Sequence, residues 1–191
     1  MIQINFEPFP NLETPRLLIR RVLHNDIPEI LALRGNPETM KFIPRPLCKT
    51  NDDALELINI FDELITKNQG VNWGLADKTT NKIIGLISFH RIDTENHRAE
   101  IGYMIMPEFT GQGLVFEGIQ RLLDFGFNEM KFNSIFAIID PQNTKSALVL
   151  QRNGFQKEAH FKQSELRNDK FVDIAYYGLL KNEYAQKKSN S

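Results

Sequence analysis

The chain has 191 residues, of which 41% are hydrophobic and 25% are charged, and its formal net charge is −1. These values describe a globular domain with a full core, and they exclude the basic excess that nucleic-acid binding requires. The single cysteine, Cys48, excludes an intramolecular disulfide, and no Cys/His spacing suits a metal site. We predict one domain over residues 1–191, with a core at about 12–181 and a mobile tail at 182–191.

Two patterns concern location. A helix that spans a membrane needs about 18 or more consecutive apolar residues, and the sequence has no such run. The segment Met1–Pro8 lacks the basic and apolar regions of a secretion signal. We expect a cytoplasmic protein that binds neither membranes nor nucleic acid.

The first part of the chain predicts a strand and two helices. The short apolar run Leu17–Arg20 indicates a strand. Pro28 suits the first turn of a helix that Gly35 ends. Asn51 or Asp52 begins a second helix, because apolar residues follow at helical spacing.

A meander of three strands is predicted next. Val71–Ala76 and Lys82–Phe89 flank a turn-like polar segment at 77–81, which indicates a β-hairpin. Arg98–Met106 adds a third strand across the polar link at 93–97.

A glycine turn follows the third strand. The segment Pro107–Leu114, with the sequence PEFTGQGL, lies between the apolar run Ile101–Met106 and a helical stripe that begins at Val115. Two glycines allow a sharp turn, and the helix N-terminus offers free N–H groups, so this turn can cradle a phosphate. It is not a Walker A loop, because no Gly-Lys-Ser/Thr follows, and Phe116 stands where a Rossmann fingerprint needs glycine.

The last part of the chain returns to the sheet. Phe132–Ile139 indicates a buried strand, Thr144–Arg152 a short helix that Gly154 ends, and Phe171–Leu180 a closing strand after an extended segment from Phe155. The predicted order is β-α-α-β-β-β-α-β-α-β-β. This is an α/β (α+β) fold with a mixed central sheet of about six or seven strands and helices on both faces.

A second polar group lies at the start of the short helix. Asn143 and Ser146 follow the strand that ends at Asp140. If that strand lies parallel to the strand ending at Met106, both helix N-termini face one cleft. The alternative is that Asn143 is only an N-cap and Ser146 is only solvated.

In this arrangement the sequence resembles the GNAT superfamily of acetyl-CoA-dependent N-acetyltransferases, and most closely the branch that acetylates the N-terminal amines of ribosomal proteins. Six segments in the family order carry the resemblance: Leu12–Leu17, Lys82–Gly85, Ala99–Tyr103, Gly111–Gly113, Asn143 with Ser146, and Asn153–Phe155. Two positions depart from the pattern, because Glu108 replaces the usual Gln or Arg and Thr110 replaces an aromatic residue. The departure puts in doubt a phosphate contact from the side chain at 108.

The resemblance implies acetyl-CoA as cosubstrate and no metal. It implies a mostly antiparallel sheet with a splayed parallel pair in the middle, where the pantetheine arm lies. Asn143 would bond that arm, and a backbone N–H near Met104, Ile105 or Met106 would stabilise the oxyanion. The N–H groups that would hold the diphosphate belong to Gly111, Gln112, Gly113, Leu114 and Val115.

The resemblance also suggests the catalytic groups. Glu100, on the strand that leads into the cleft, is the candidate base, and the alternative is a surface carboxylate paired with Arg98 or Arg91. Ser146 is the candidate donor to the departing thiolate, since Val149 stands where many relatives have tyrosine.

The acceptor amine stays open at this stage. A protein N-terminus is favoured, and a polyamine, an amino acid or an aminoglycoside are alternatives, as is an acyl-CoA sensor without turnover. We expect segment 42–67 and a loop at 163–170 to form the acceptor wall. His90 and His97, which flank a strand link, are interpreted as structural, and Trp73 and Tyr103 as core or pocket wall. Homodimers are common on this fold, so pairing with a second copy is also an expectation.

Overall fold

The computed structural model describes residues 1–167 and 169–189. Within them, one sheet contains eight strands in the order β1-β2-β3-β4-β5-β6-β8-β7. The strands are β1 Leu12–Glu13, β2 Leu17–Arg21, β3 Val71–Asp77, β4 Ile83–Asp93, β5 Arg98–Ile105, β6 Ser134–Ile139, β7 Gln156–Arg167 and β8 Lys170–Leu180.

Neighbouring strands run antiparallel except β5 and β6, which are parallel. The predicted mixed, mostly antiparallel sheet with one parallel pair is therefore confirmed. The sheet has eight strands, one more than the upper number expected. The additional strand is β1, whose two residues pair with β2 but are too few to show a period of two.

Helices cover both faces of this sheet. No helix in the described ranges has the length and apolar character that crossing a membrane requires. The helices are α1 Ile27–Arg34, α2 Pro37–Met40, α3 Asn51–Thr66, α4 Leu114–Asp124, α5 Thr144–Arg152 and α6 Lys181–Ser189.

Two buried clusters show which helix packs on which face. On the face that we call the first face, Ile30 of α1 and Ile58 of α3 pack with Met104 of β5. On the second face, Ile119 of α4 and Leu150 of α5 belong to the larger cluster. Because side chains alternate along β5, consecutive residues of this strand point to the two different helical layers.

Local signals define α5 well. The Asn143 side chain caps the helix by accepting a hydrogen bond from the Ser146 amide, 3.1 Å away. Gly154, just beyond the last turn, has a φ of +100°, which a residue with a side chain adopts only with strain. The helix therefore has the predicted bounds, Thr144–Arg152.

Two predictions near the C-terminus are corrected. The expected mobile tail contains α6, where Tyr184 is buried and its ring centroid lies 5.2 Å from that of Phe127. The expected loop at 163–170 is the end of the β7–β8 hairpin, in which Glu165 pairs with Val172. Residue 168 of that loop and residues 190 and 191 of the tail lie outside the described residues.

Candidate active site

The parallel pair opens into a gap. The registered pairing of β5 with β6 covers only Arg98–Glu100 and ends where Glu100 meets Phe136. On its other edge, β5 stays paired with β4 as far as Ile105. The edge of β5 that faces β6 is therefore open beyond Glu100.

A cavity of about 100 Å³ occupies this gap. Both faces of the sheet contribute to its wall, because the α2–α3 connection closes one side and α5 the other. The lining residues used below are Phe42, Tyr103, Asn143 and Ser146.

Backbone alternation decides which amides of β5 face the gap. The Met106 amide donates to the Ile84 carbonyl at 2.9 Å, so it points toward β4. Residues two apart in a strand point their N–H groups to the same side, so the Met104 amide also faces β4. The amides of Tyr103 and Ile105 consequently face the gap. Of the three residues predicted near the oxyanion, only Ile105 places its N–H there.

The glycine turn is open on its outer side. Gly111 and Gly113 have φ values of +76° and +78°, which favour glycine. A Cβ added at Gly111 would meet no atom within 4 Å. Within the described ranges, no backbone acceptor is recorded for the amides of Gly111, Gln112 and Gly113. The next two amides, of Leu114 and Val115, belong to the first turn of α4, where no partner inside the helix exists.

Arg16 braces this turn from behind. Its Nη1 donates to the Gln112 carbonyl at 2.9 Å, and its Nε donates to Glu117 of α4 at 2.7 Å. The Gln112 side chain donates to the Glu108 carbonyl at 3.0 Å. Arg16 thus holds the Gln112 carbonyl, and the Gln112 side chain holds the Glu108 carbonyl, so these contacts fix the turn without using its amides. The role of Arg16 leaves no local pattern in the sequence, because its partner lies 96 residues away.

Asn143 and Ser146 lie at the edge of the gap. The Asn143 Oδ1 is used by the cap of α5, so the expected capping role is real. Among the described residues, no partner is recorded for its Nδ2, which stays available to a ligand. The Ser146 Oγ lies 2.6 Å from the Tyr103 hydroxyl. Burial raises the pKa of Tyr103, which therefore stays protonated at neutral pH. Tyr103 thus lies in the cavity wall, one of the two positions predicted for it, and it also has a polar partner that the sequence did not indicate.

Glu100 projects from β5 at the point where strand pairing ends. Its side chain is 15% exposed, and its Oε2 lies 2.9 Å from the Arg91 Nη1. Burial raises the pKa of Glu100, and the charge of Arg91 opposes that shift. The alternative prediction is a surface carboxylate paired with Arg98 or Arg91. The pairing with Arg91 is present, but the carboxylate is mostly buried rather than on the surface. A mostly buried carboxylate is a stronger base than a solvated one.

His90 faces Glu100 across the β4–β5 ladder. Its Nε2 lies 2.8 Å from the Ser88 Oγ. Burial, with smaller effects from Arg91 and Arg45, lowers the pKa of His90 to about 4, so the imidazole is neutral at pH 7. No group of three or more potential metal ligands from His, Cys, Asp and Glu occurs in the described part of the chain.

The family comparison agrees with this geometry. The family described as "Acetyltransferase (GNAT) domain" matches residues 16–156. The chain belongs to the GNAT acetyltransferases. An N-acetyltransferase of Bacillus subtilis, YoaA, of uncharacterized function, is 32% identical over 173 residues, covering 91% of this chain and 98% of the relative. The ribosomal-protein-serine acetyltransferase of Escherichia coli is 34% identical over 100 residues, covering 52% of this chain and 56% of that protein.

Solved structures show the same GNAT fold. A GNAT acetyltransferase from Bacillus anthracis has a TM-score of 0.82 and 28% identity, covering 91% of this chain and 99% of that one. The Vibrio cholerae spermidine N-acetyltransferase in complex with CoA and spermine has a TM-score of 0.79, covering 90% and 99%. The two sequences are 23% identical, so this similarity is evidence for the fold only.

This GNAT chain is therefore an acetyl-CoA-dependent N-acetyltransferase. Its own residues fit the cosubstrate, because the open turn offers unpaired amides to a diphosphate. The gap between β5 and β6 offers the strand edge along which an extended arm could bond.

Proposed function

We propose that this enzyme acetylates the N-terminal amine of a protein, with a ribosomal protein as the favoured acceptor. The observation that carries the proposal is the meeting of two features at one place. The open edge of β5 begins at Glu100, and the mostly buried carboxylate of this residue can accept a proton from an amine. The similarity to a ribosomal-protein-serine acetyltransferase supports the class of acceptor.

The chain holds acetyl-CoA through backbone groups in this proposal. The five amides from Gly111 to Val115 bind the diphosphate, and Arg16 fixes the turn that presents them. The free edge of β5 and the Nδ2 of Asn143 bond the pantetheine arm. The thioester then lies beside the gap-facing amide of Ile105.

Glu100 starts the transfer by taking a proton from the attacking amine, directly or through a water. An α-amino group has a pKa of about 7.7–8.0, so a modest base suffices. The nitrogen then attacks the thioester carbonyl, and a C–N bond forms as the carbonyl oxygen becomes an oxyanion. The Ile105 N–H stabilises that oxyanion, and loss of one such donor costs about 3 kcal/mol of barrier.

Ser146 completes the transfer at the leaving group. The C–S bond breaks, the carbonyl re-forms, and the Ser146 Oγ–H donates a proton to the thiolate. Tyr103, which is 2.6 Å away, holds that hydroxyl in place by a hydrogen bond. The proton on Glu100 and the proton that the nitrogen loses on becoming an amide leave through water; one of them restores the Ser146 hydroxyl and the other passes to solvent. The products are an amide and a free thiol, so no acyl-enzyme is needed.

The test is thiol release from acetyl-CoA with a short peptide that begins with a free serine. The control is the same peptide with an acetylated N-terminus, because it differs only in carrying an amide in place of the free amine. We expect turnover with the first peptide and none with the second. Cofactor binding without turnover on any amine would contradict the proposal and indicate an acyl-CoA sensor. The proposal also includes a cytoplasmic location and pairing with a second copy. Gel filtration tests the pairing.

A further inference from the structure

Three arginines belong to the elements around the first-face side of the gap, which we call the cleft. Arg34, in the last turn of α1, places its Nη1 3.9 Å from the Met104 Sδ. Met104 precedes Ile105, whose amide faces the gap. Arg91, at the end of β4, is paired with Glu100. A third, Arg45, lies in the connection between α2 and α3.

Arg34 is an unusual group for such a position. Burial lowers the pKa of its guanidinium, and the Cys48 side chain opposes that shift. Its Nε is buried and has no hydrogen-bond partner among the described residues. A buried cationic N–H without an acceptor is costly, so an anion placed against the accessible part of this half-buried guanidinium would offset some of that cost.

Arg45 adds a second positive charge to the same place. Its backbone amide donates to the carbonyl of Ile43, which lines the gap, and the same connection returns to α1, where the Cys48 amide donates to the Arg34 carbonyl at 3.2 Å. The charge of Arg45 also lowers the pKa of both Arg34 and His90. Arg45 is exposed, and the described part of the chain records no ion pair for it or for Arg34. We call these two residues the arginine pair.

Three carboxylates on this side of the sheet, Glu100, Glu165 and Asp140, already have arginine partners. Glu100 is bound by Arg91 at 2.9 Å. Glu165, whose charge adds to the raised pKa of Glu100, is bound by Arg167 at 2.6 Å. The same Arg167 lies 3.9 Å from Asp140. In the described part of the chain, none of these three carboxylates forms an ion pair with the arginine pair.

Given the proposed transfer to an amine, we propose that the acceptor carries a carboxylate close to its amine, and that the arginine pair binds this carboxylate. Guanidinium groups match carboxylates in geometry and charge. Polyamines, with several positive charges, would be repelled from the cleft. The carboxylate can be an acidic side chain at the second position of a peptide or the α-carboxylate of a free amino acid, and the experiment separates the two.

The experiment measures kcat/KM for thiol release by the full chain with matched acceptors. Peptides that begin Ser-Glu and Ser-Gln differ only in charge, free glutamate and its α-amide test the second source, and spermidine is the cationic acceptor. We expect at least about a tenfold preference for Ser-Glu over Ser-Gln, or for glutamate over its amide, and least activity with spermidine.

Variants connect the preference to the arginine pair. Arg45→Glu should abolish the preference for the acidic acceptor and raise activity with a Ser-Lys peptide. Arg34→Gln should weaken the acidic acceptor more than the neutral one. Arg152→Ala, which removes an exposed arginine from the last turn of α5, is the matched control and should keep the wild-type preference.

The outcomes separate this inference from the proposed function. Equal rates with the Ser-Glu and Ser-Gln peptides and with both forms of glutamate, or a preference for spermidine, would overturn the inference and leave amine acetylation intact. A wild-type preference retained in Arg45→Glu and Arg34→Gln would overturn the arginine pair as its cause. Absence of turnover with every acceptor would overturn the proposed function, and this inference with it.

Discussion

The Tyr103 hydroxyl lies 2.6 Å from the Ser146 Oγ, and this contact joins β5 to the first turn of α5 across the open gap. The pair connects the strand that would polarise the thioester with the helix that would protonate the leaving group. Ser146 is 9% exposed, so its hydroxyl has few partners other than Tyr103 and a bound ligand.

The first prediction concerns this pair. Ser146→Ala and Tyr103→Phe should each lower kcat about tenfold, since each removes one hydrogen bond from the proton path. The double variant should lose little more than either single variant, because the two groups act as a unit. Steady-state kcat for thiol release is the measurement. Tyr176→Phe, which removes a hydroxyl from β8, is the control, and additive losses in the double variant would contradict the proposed unit.

The second prediction concerns the base. Burial raises the pKa of Glu100, so activity should fall as the pH drops through that raised value and Glu100 gains a proton. Glu100→Gln should lower kcat on the order of 100-fold at neutral pH and leave the affinity for CoA nearly unchanged. A pH profile of kcat checks this, with Glu95→Gln, in an exposed turn, as control. Full turnover by Glu100→Gln with saturating acceptor would mean that another group is the base.

The third prediction concerns the turn. Gly111 and Gly154 both have positive φ, so alanine should cost each about 1 kcal/mol of stability or somewhat more. Only Gly111 lies in the proposed diphosphate cradle. Gly111→Ala should therefore weaken CoA binding at least about tenfold by calorimetry, while Gly154→Ala should bind CoA normally. Gly113→Val should abolish binding. Equal losses of CoA affinity in both alanine variants would show that backbone strain, not the cradle, is responsible.

The fourth prediction concerns stability and pH. Burial lowers the pKa of His90 from 6.5 to about 4, so below pH 6.5 the unfolded chain binds a proton that the folded chain does not. The stability that His90 contributes is thus present above pH 6.5 and lost as the pH falls toward 4, by at most about 3 kcal/mol. Urea unfolding of His90→Gln should show a smaller loss between pH 7 and 4 than the wild type. His24→Gln removes an exposed histidine and is the control. An unchanged loss in His90→Gln would contradict the assignment.

Local signals made part of this protein predictable. The bounds of α5 follow from the cap at Asn143 and from Gly154, because both act within a few residues of the helix ends. The glycine turn and the strand before it were also found, since a buried strand, a Gly-x-Gly turn and an amphipathic helix each have a short-range pattern. The parallel pairing of β5 with β6 then followed from topology.

Contacts between distant residues were not predictable. The α6 helix was interpreted as a mobile tail because it is polar, and its order depends on Tyr184 packing against Phe127. Arg16 and Tyr103 gave no signal for their roles, because their partners at Gln112 and Ser146 are far away in sequence. Strand alternation, which the structure supplies, was needed to select a single oxyanion donor.

One measurement tests the central claim most directly: a crystal structure of the chain with CoA bound. We predict that the diphosphate lies within hydrogen-bond distance of the amides from Gly111 to Val115, with the pantetheine arm between β5 and β6 and its sulfur near Ser146. CoA bound elsewhere, or a turn whose amides touch no phosphate oxygen, would contradict the account.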